Sequence, residues 1–177
     1  MSSVSSDKHM REASVQRPPG QWLFEQPYVI LDTRSPKEFE KGHITGAVSF
    51  PLFGNDERAV IGTLYKHQGK DAAVEQGLEF VGPKMAEFVR EAKDRFAAQS
   101  EPLPLVVHCW RGGMRSRIAT QWLGDLNVSR VHGGTKALRG YLMMSLESQF
   151  TRTETQVISG LTGCGKTELL RRLREKG

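Results

Sequence analysis

HCWRGGMRS, running from His108 to Ser116, is the stretch on which the reading of this chain turns. An apolar run, Leu103 to Val107, leads into it and predicts a buried strand. A helical pattern over about Arg115 to Leu123 leaves it. Cys109 therefore belongs at a strand-to-helix turn on the carboxyl edge of a sheet, where α/β proteins place their sites. Trp110, Arg111, Gly112, Gly113 and Met114 separate Cys109 from Arg115, a spacing that lets the backbone curl around the sulfur. Gly112 and Gly113 permit φ > 0 and close approach of N–H groups. The positive end of the following helix adds to the charge of Arg111, Arg115 and Arg117. All of this favours the thiolate, which is the nucleophilic form. The same cradle suits an oxyanion such as phosphate, thiosulfate or selenophosphate. The bland alternative is a cysteine buried as a small hydrophobe, and the polar, basic company of Cys109 speaks against it.

The totals bound the answer. A chain of 177 residues can hold one well-cored domain and a remnant. Its 25 basic and 20 acidic residues give +5, with a pI near 9.4. That suits an anionic partner, nucleic acid included. The cysteines, Cys109 and Cys164, form neither a disulfide framework nor a zinc pattern, so no bound metal is expected. A reactive thiol fits a reducing cytoplasm. No apolar run approaches the roughly 18 residues of a membrane span, and the N-terminus lacks a signal peptide's apolar segment.

Residues 1–19 are polar, serine-rich and end in Pro18-Pro19, which predicts a disordered tail carrying a solvated His9. Tyr28 to Leu31 predicts a core strand. It runs into Asp32, Thr33 and Arg34, then Ser35-Pro36, a helix start with Glu38 completing a capping box. Asp32 and Arg34 lie at the same sheet edge as Cys109. They either shape the active loop or form a structural ion pair and turn cap, the commoner role. His43 in Gly42-His43-Ile44 reads as a loop-packing residue. Asn55 or Asp56 can cap a helix to about His67; Gly69 ends it and a second helix starts at Asp71. Arg58, Lys66 and Lys70 make this pair either a solvated face or an RNA-facing surface.

These motifs carry a resemblance. Asp32-x-Arg34-x-x-x-Glu38-Phe39 followed by Gly42-His43-Ile44-x-Gly46-Ala47, with the Cys109 loop downstream, resembles the rhodanese superfamily, whose members carry sulfur or selenium on a cysteine. That implies an α/β domain with a central parallel sheet flanked by helices. Common single-domain rhodaneses place the loop arginine one residue nearer the cysteine. The longer spacing here is similar to that of rhodanese-fold and tyrosine phosphatases. Asn55-Asp56-Glu57-Arg58-Ala59 and Gly62-Thr63-x-Tyr65-Lys66-x-Gln68-Gly69, between the two signatures, resemble the bacterial tRNA 2-selenouridine synthase family.

Downstream, Pro83 is expected to open one amphipathic helix to about Gln99, with Met85, Phe88, Val89 and Phe96 in the core. Ile118, Trp122 and Leu123 form the apolar side of the helix after the loop, and Gly124 ends it. Val128 to Val131 predicts a short edge strand, and His132-Gly133-Gly134 opens a helix reaching about Phe150. Residues 20–152 thus form the rhodanese-like domain. Thr155 to Ser159 predicts a strand, followed by Gly160, Gly163, Gly165, Lys166 and Thr167 at P-loop spacing. Residues 153–177 read as the truncated start of a P-loop domain, weakly packed and not expected to hold a nucleotide, with Cys164 a small loop residue.

The resemblance implies replacement of sulfur by selenium in wobble 2-thiouridine of tRNA. It further implies selenophosphate as donor, geranyl diphosphate as a further substrate through an S-geranylated intermediate, and Cys109 as the essential thiol. The loop amides with Arg111 and Arg115 would hold the small anionic donor or its product. Trp110 either stacks on a base or packs as a lid. The alternatives are a Cys-dependent phosphatase or arsenate reductase, and a non-catalytic sulfur-carrier module.

Overall fold

The computed structural model describes residues 16–25, 27–98, 100–152 and 157–175. The chain divides into two compact units, Met1–Tyr141 and Leu142–Gly177.

The first unit is built on strands β1 (Gln16–Arg17), β2 (Val29–Asp32), β3 (Val48–Ser49), β4 (Leu105–His108) and β5 (Val128–Val131). They form one 5-stranded sheet in the order β1-β5-β4-β2-β3, with every pair parallel. Parallel strands need crossovers, and helices supply them: α1 (Trp22–Glu25), α2 (Pro36–Glu40), α3 (Asn55–His67), α4 (Lys70–Val81), α5 (Met85–Ala92) and α6 (Met114–Trp122); α7 (Gly134–Arg152) follows the last strand and runs on past Tyr141. Successive residues of a strand face opposite sides. Leu31, Leu105 and Val107 accordingly join Phe50, Phe88 and Leu123 in one core, while Ile30 and Val106 join Leu23, Val131 and Leu138 in a second. Both faces are covered, so the strands read as continuous apolar runs.

Several expectations shift. Gln16–Arg17 lies inside the expected tail but pairs with β5, so β5 is not an edge strand; residues 1–15, His9 among them, lie outside the described residues. The helix expected from Pro83 is three pieces: a 3-10 turn Gly82–Lys84, then α5, then a π turn Lys93–Ala97. Phe88, Ala92 and Phe96 are buried at i, i+4 and i+8 spacing, while Met85 is 47% exposed and is not a core residue. Gly54, not Asn55 or Asp56, caps α3; its N–H donates to Glu57 Oε2 at 2.8 Å. Asn55 Oδ1 instead accepts the Lys37 N–H at 2.9 Å.

Register positions the site. β2 and β4 align Leu31 with Val107 and Asp32 with His108, so the ends of both strands meet at Cys109. Thr33 locks that end: its N–H and Oγ1 both donate to His108 O, at 3.0 and 2.8 Å.

In the second unit, α8 (Lys166–Glu175) follows the glycine-rich loop. Residues 155 and 156 of the expected strand lie outside the described residues, and Val157, Ile158 and Ser159 are not in a strand. A strand needs a paired neighbour to satisfy its backbone, and none pairs with these three among the described residues. Leu169, Leu170 and Leu173 of α8 are exposed.

Candidate active site

Cys109 follows β4 directly and is 3% exposed. Its thiol donates to Ser116 Oγ at 3.3 Å, and Ser116 Oγ donates to Gly113 O at 3.2 Å. Were Cys109 ionised, the same hydroxyl would turn its proton to the sulfur. Gly113 precedes α6, and the Arg117 N–H closes the first turn onto Gly113 O at 3.1 Å. The helix thus begins beside the sulfur, with its positive end toward the loop.

The loop rests on the turn between β5 and α7. Thr135 N–H donates to Cys109 O at 2.9 Å and Lys136 N–H to Trp110 O at 3.0 Å. Gly112 and Gly134 have φ of 63° and 59° and meet backbone to backbone. A Cβ on Gly134 would stand 2.0 Å from Cys109 O, and one on Gly112 would stand 2.7 Å from Gly133 N. Only glycine fits at either position.

Below the loop is a buried polar cluster. Asp32 Oδ2 and Arg34 Nη2 pair at 2.6 Å, with side chains 0% and 3% exposed. Arg34 Nη2 also donates to Gly42 O at 2.8 Å. Asp32 Oδ2 lies 3.8 Å from His108 Nε2, which is buried without a hydrogen-bond partner among the described residues. Thr135 Oγ1 donates its one proton to Cys109 O at 3.3 Å and so accepts from His108 Nδ1 at 3.0 Å. Burial holds the His108 imidazole below its ordinary value; the Asp32 charge opposes this and the Arg34 charge reinforces it.

Arg115 is engaged by a carboxylate. Its Nη1 and Nη2 donate to Glu38 Oε2 and Oε1 at 2.6 and 3.3 Å. Ser35 N–H reaches Glu38 Oε2 at 3.0 Å, as the capping reading expects, and Arg58 Nε stands 3.7 Å from it. Burial would raise the Glu38 pKa, but the hydrogen bond and charge of Arg115, the Ser35 N–H and the Arg58 charge outweigh it, so the carboxyl lies below its ordinary value.

In front of Cys109 opens a pocket of ≈ 620 Å³ between the loop and the α3–α4 hairpin. Leu52, Phe53, Ile61, Val74 and Leu78 give it an apolar wall. Arg58, Lys70, Arg111 and Arg115 give it a cationic one, and no carboxylate or histidine lines it among the described residues. Trp110, 39% exposed, and Met114 also line it. Arg117 does not. His43 stacks on Phe39 at 3.8 Å, a packing role.

The structure thus brings Cys109, Trp110, Arg111, Gly113, Met114 and Arg115 to one pocket; Gly112 packs on the Gly133-Gly134 turn, while Asp32 and Arg34 pair with each other and reach Gly42 O and His108. Gly133, Gly134, Thr135, His108, Ser116 and Glu38 were not singled out as site residues. Adjacent glycines after a strand are the one local signal that could have marked the turn. In the second unit, Lys166 Nζ donates to Gly160 O and Leu161 O at 2.7 and 2.6 Å, with Gly163 and Gly165 at φ of 83° and 85°. Thr167 is the second residue of α8. Among the described residues no cluster of three or more His, Cys, Asp or Glu could hold a metal ion, and no helix is long and apolar enough to cross a membrane.

Residues 20–140 match the rhodanese-like domain family. The chain is 44% identical over 154 residues to a tRNA 2-selenouridine synthase of Bdellovibrio bacteriovorus, covering 86% of this chain and 40% of that protein. It is 43% identical over 148 residues to one of Pseudomonas fluorescens, covering 82% and 40%. The chain thus spans about 40% of the length of these relatives. The crystal structure of an N-terminal domain from Clostridium difficile 630, of a protein named for ATP/GTP binding, superposes with a TM-score of 0.62 at 33% identity, covering 68% of this chain and 93% of that one.

Two outcomes follow from this geometry. Gly134→Ala should cost about 2 kcal/mol or more in urea unfolding and slow alkylation of Cys109; a stable variant with an unchanged rate would contradict the packing. The second concerns pH. His108 titrates lower in the folded chain than in the unfolded one. Its stabilisation is therefore full above the unfolded value, about 6.5, and is lost as pH falls toward the folded value. Wild-type stability should fall as pH drops below about 6.5, by up to about 1.4 kcal/mol per pH unit from this group, and His108→Gln should flatten that slope. Equal slopes in urea titrations would contradict it.

Proposed function

This chain belongs to the rhodanese-like domain family, and from that premise we propose that it serves the replacement of sulfur by selenium in 2-thiouridine at the tRNA wobble position. One observation carries the reading: a thiol at the mouth of a helix opens onto a pocket with a cationic wall, an apolar wall and no acid. Cys109 is the essential thiol. The loop amides with Arg111 and Arg115 hold selenophosphate or the phosphate it releases. Asp32 and Arg34 support the loop from below. The cationic wall and the basic balance of +5 suit an RNA substrate, whose backbone binding is salt-sensitive. Trp110, half-exposed on the pocket, offers a face for the modified base.

The apolar wall supports the finer part of the reading, an S-geranylated intermediate made from geranyl diphosphate. Leu52, Phe53, Ile61, Val74 and Leu78 offer such a chain a dry surface beside the sulfur. The setting is the reducing cytoplasm, where a free thiol persists. The loop of Gly160, Gly163, Gly165, Lys166 and Thr167 has phosphate-binding spacing, but its lysine is spent on loop carbonyls, and no nucleotide is assigned to it here.

Loop spacing alone would also allow a phosphatase. That chemistry needs a proton donor for the leaving group; no carboxyl or imidazole lines the pocket among the described residues, which leaves Tyr65 as the candidate donor. Incubation with selenophosphate, geranyl diphosphate and an anticodon stem-loop containing 2-thiouridine, followed by nucleoside mass analysis, tests the proposal. Selenium should replace sulfur with wild type and not with Cys109→Ala. Rapid cleavage of an aryl phosphate with no selenated nucleoside would overturn it.

A further inference from the structure

We propose that Arg58, on the hairpin wall of the pocket, forms with Arg115 a two-guanidinium seat for the oxyanion presented to Cys109, with Glu38 as their shared counter-ion and positioning residue. The inference rests on the reading of Cys109 as a thiol that meets a phosphate-bearing donor, and it extends that site beyond the loop.

The two arginines come from different walls. Arg58 is on α3 and Arg115 opens α6, and both line the pocket that contains Cys109. Glu38 Oε2 reaches both, at 2.6 Å to Arg115 Nη1 and 3.7 Å to Arg58 Nε. One carboxylate therefore stands between two cations, and the cluster keeps a net positive charge. The arginines are unequally committed. Arg115, 16% exposed, makes paired hydrogen bonds to Glu38. Arg58, 37% exposed, stands beyond hydrogen-bond distance of that carboxylate, and no hydrogen bond occupies its guanidinium among the described residues. A guanidinium offers five N–H donors in a fixed fork matched to tetrahedral oxyanions, so Arg58 has donors to give.

The backbone makes room for this placement. One turn on from Arg58, α3 carries Gly62, where an added Cβ would lie 2.8 Å from Arg58 Nη1. The arginine thus lies along its own helix where any other residue would push it. Its head lies on the pocket side of the hairpin, next to Glu38. Lys70 and Arg111 add charge around the same opening, and no carboxylate lines it among the described residues. An oxyanion entering here gains Arg58 directly and shares Arg115 with Glu38.

Site-resolved alkylation of Cys109 in the full chain at low ionic strength tests this, using iodoacetate, an anion, and iodoacetamide, its neutral counterpart. The ratio of the two rates reports anion attraction, while iodoacetamide alone reports the folded, nucleophilic thiol. Arg58→Ala and the more conservative Arg58→Met should lower the ratio about 3- to 10-fold with the iodoacetamide rate unchanged. Inorganic phosphate should protect Cys109 in wild type and less in both variants. Glu38→Gln should raise the ratio by freeing both guanidiniums. An unchanged ratio in both Arg58 variants, or equal protection by phosphate, overturns the seat. A ratio in Glu38→Gln at or below wild type overturns the counter-ion role. No selenium donor enters the assay, so failure of the selenation reading would appear in nucleoside turnover and not here.

Discussion

The contact between the Gly112 backbone and the Gly133-Gly134 turn is the constraint on which the rest depends. Among the described residues, the carbonyls of Cys109 and Trp110 leave the strand without partners inside their own loop. The first residues of α7 supply them, with Thr135 and Lys136 donating to those carbonyls. The approach is close enough that a single methyl at Gly134 would fall within bonding range of a backbone oxygen. The loop's shape is therefore set less by its own residues than by a turn more than twenty positions later. The parallel sheet makes that meeting possible, because β4 and β5 are neighbours and end at the same edge.

A second layer fixes charge. Asp32 and Arg34 satisfy one another in the interior, where either alone would cost several kcal/mol. They lie under His108, a buried imidazole whose pKa burial lowers and whose Nδ1 meets Thr135 Oγ1. Glu38 serves a helix cap and Arg115, at the end of the Cys109 loop, with the same carboxylate. The ion pairs tie elements together: Arg34 reaches the Gly42 carbonyl, and Glu38 joins α2 to α6 through Arg115.

The sheet and the position of Cys109 were legible because apolar runs such as Leu105 to Val107 and Tyr28 to Leu31 can only be buried strands. The start of α2 was legible because Ser35-Pro36 and Glu38 are local signals. What was hidden depends on distant partners. Gln16–Arg17 has no strand pattern of its own and is a strand only because β5 offers it an edge. The helix expected from Pro83 changes hydrogen-bond register over Lys93–Ala97, with Phe88 and Phe96 both buried in the same core. The partners of Arg115 and of the loop carbonyls sit 77 and 26 residues away in sequence, beyond the reach of spacing arguments.

The account's central claim is that this loop makes Cys109 a nucleophile toward an anionic chalcogen donor: with thiosulfate it takes the outer sulfur and sulfite leaves. The most direct measurement is the intact mass of the chain after incubation with thiosulfate, taken before and after reduction. A single reducible chalcogen adduct, mapped to Cys109 and absent in Cys109→Ala, is the predicted result. A folded wild-type protein that gains no such adduct would contradict the claim.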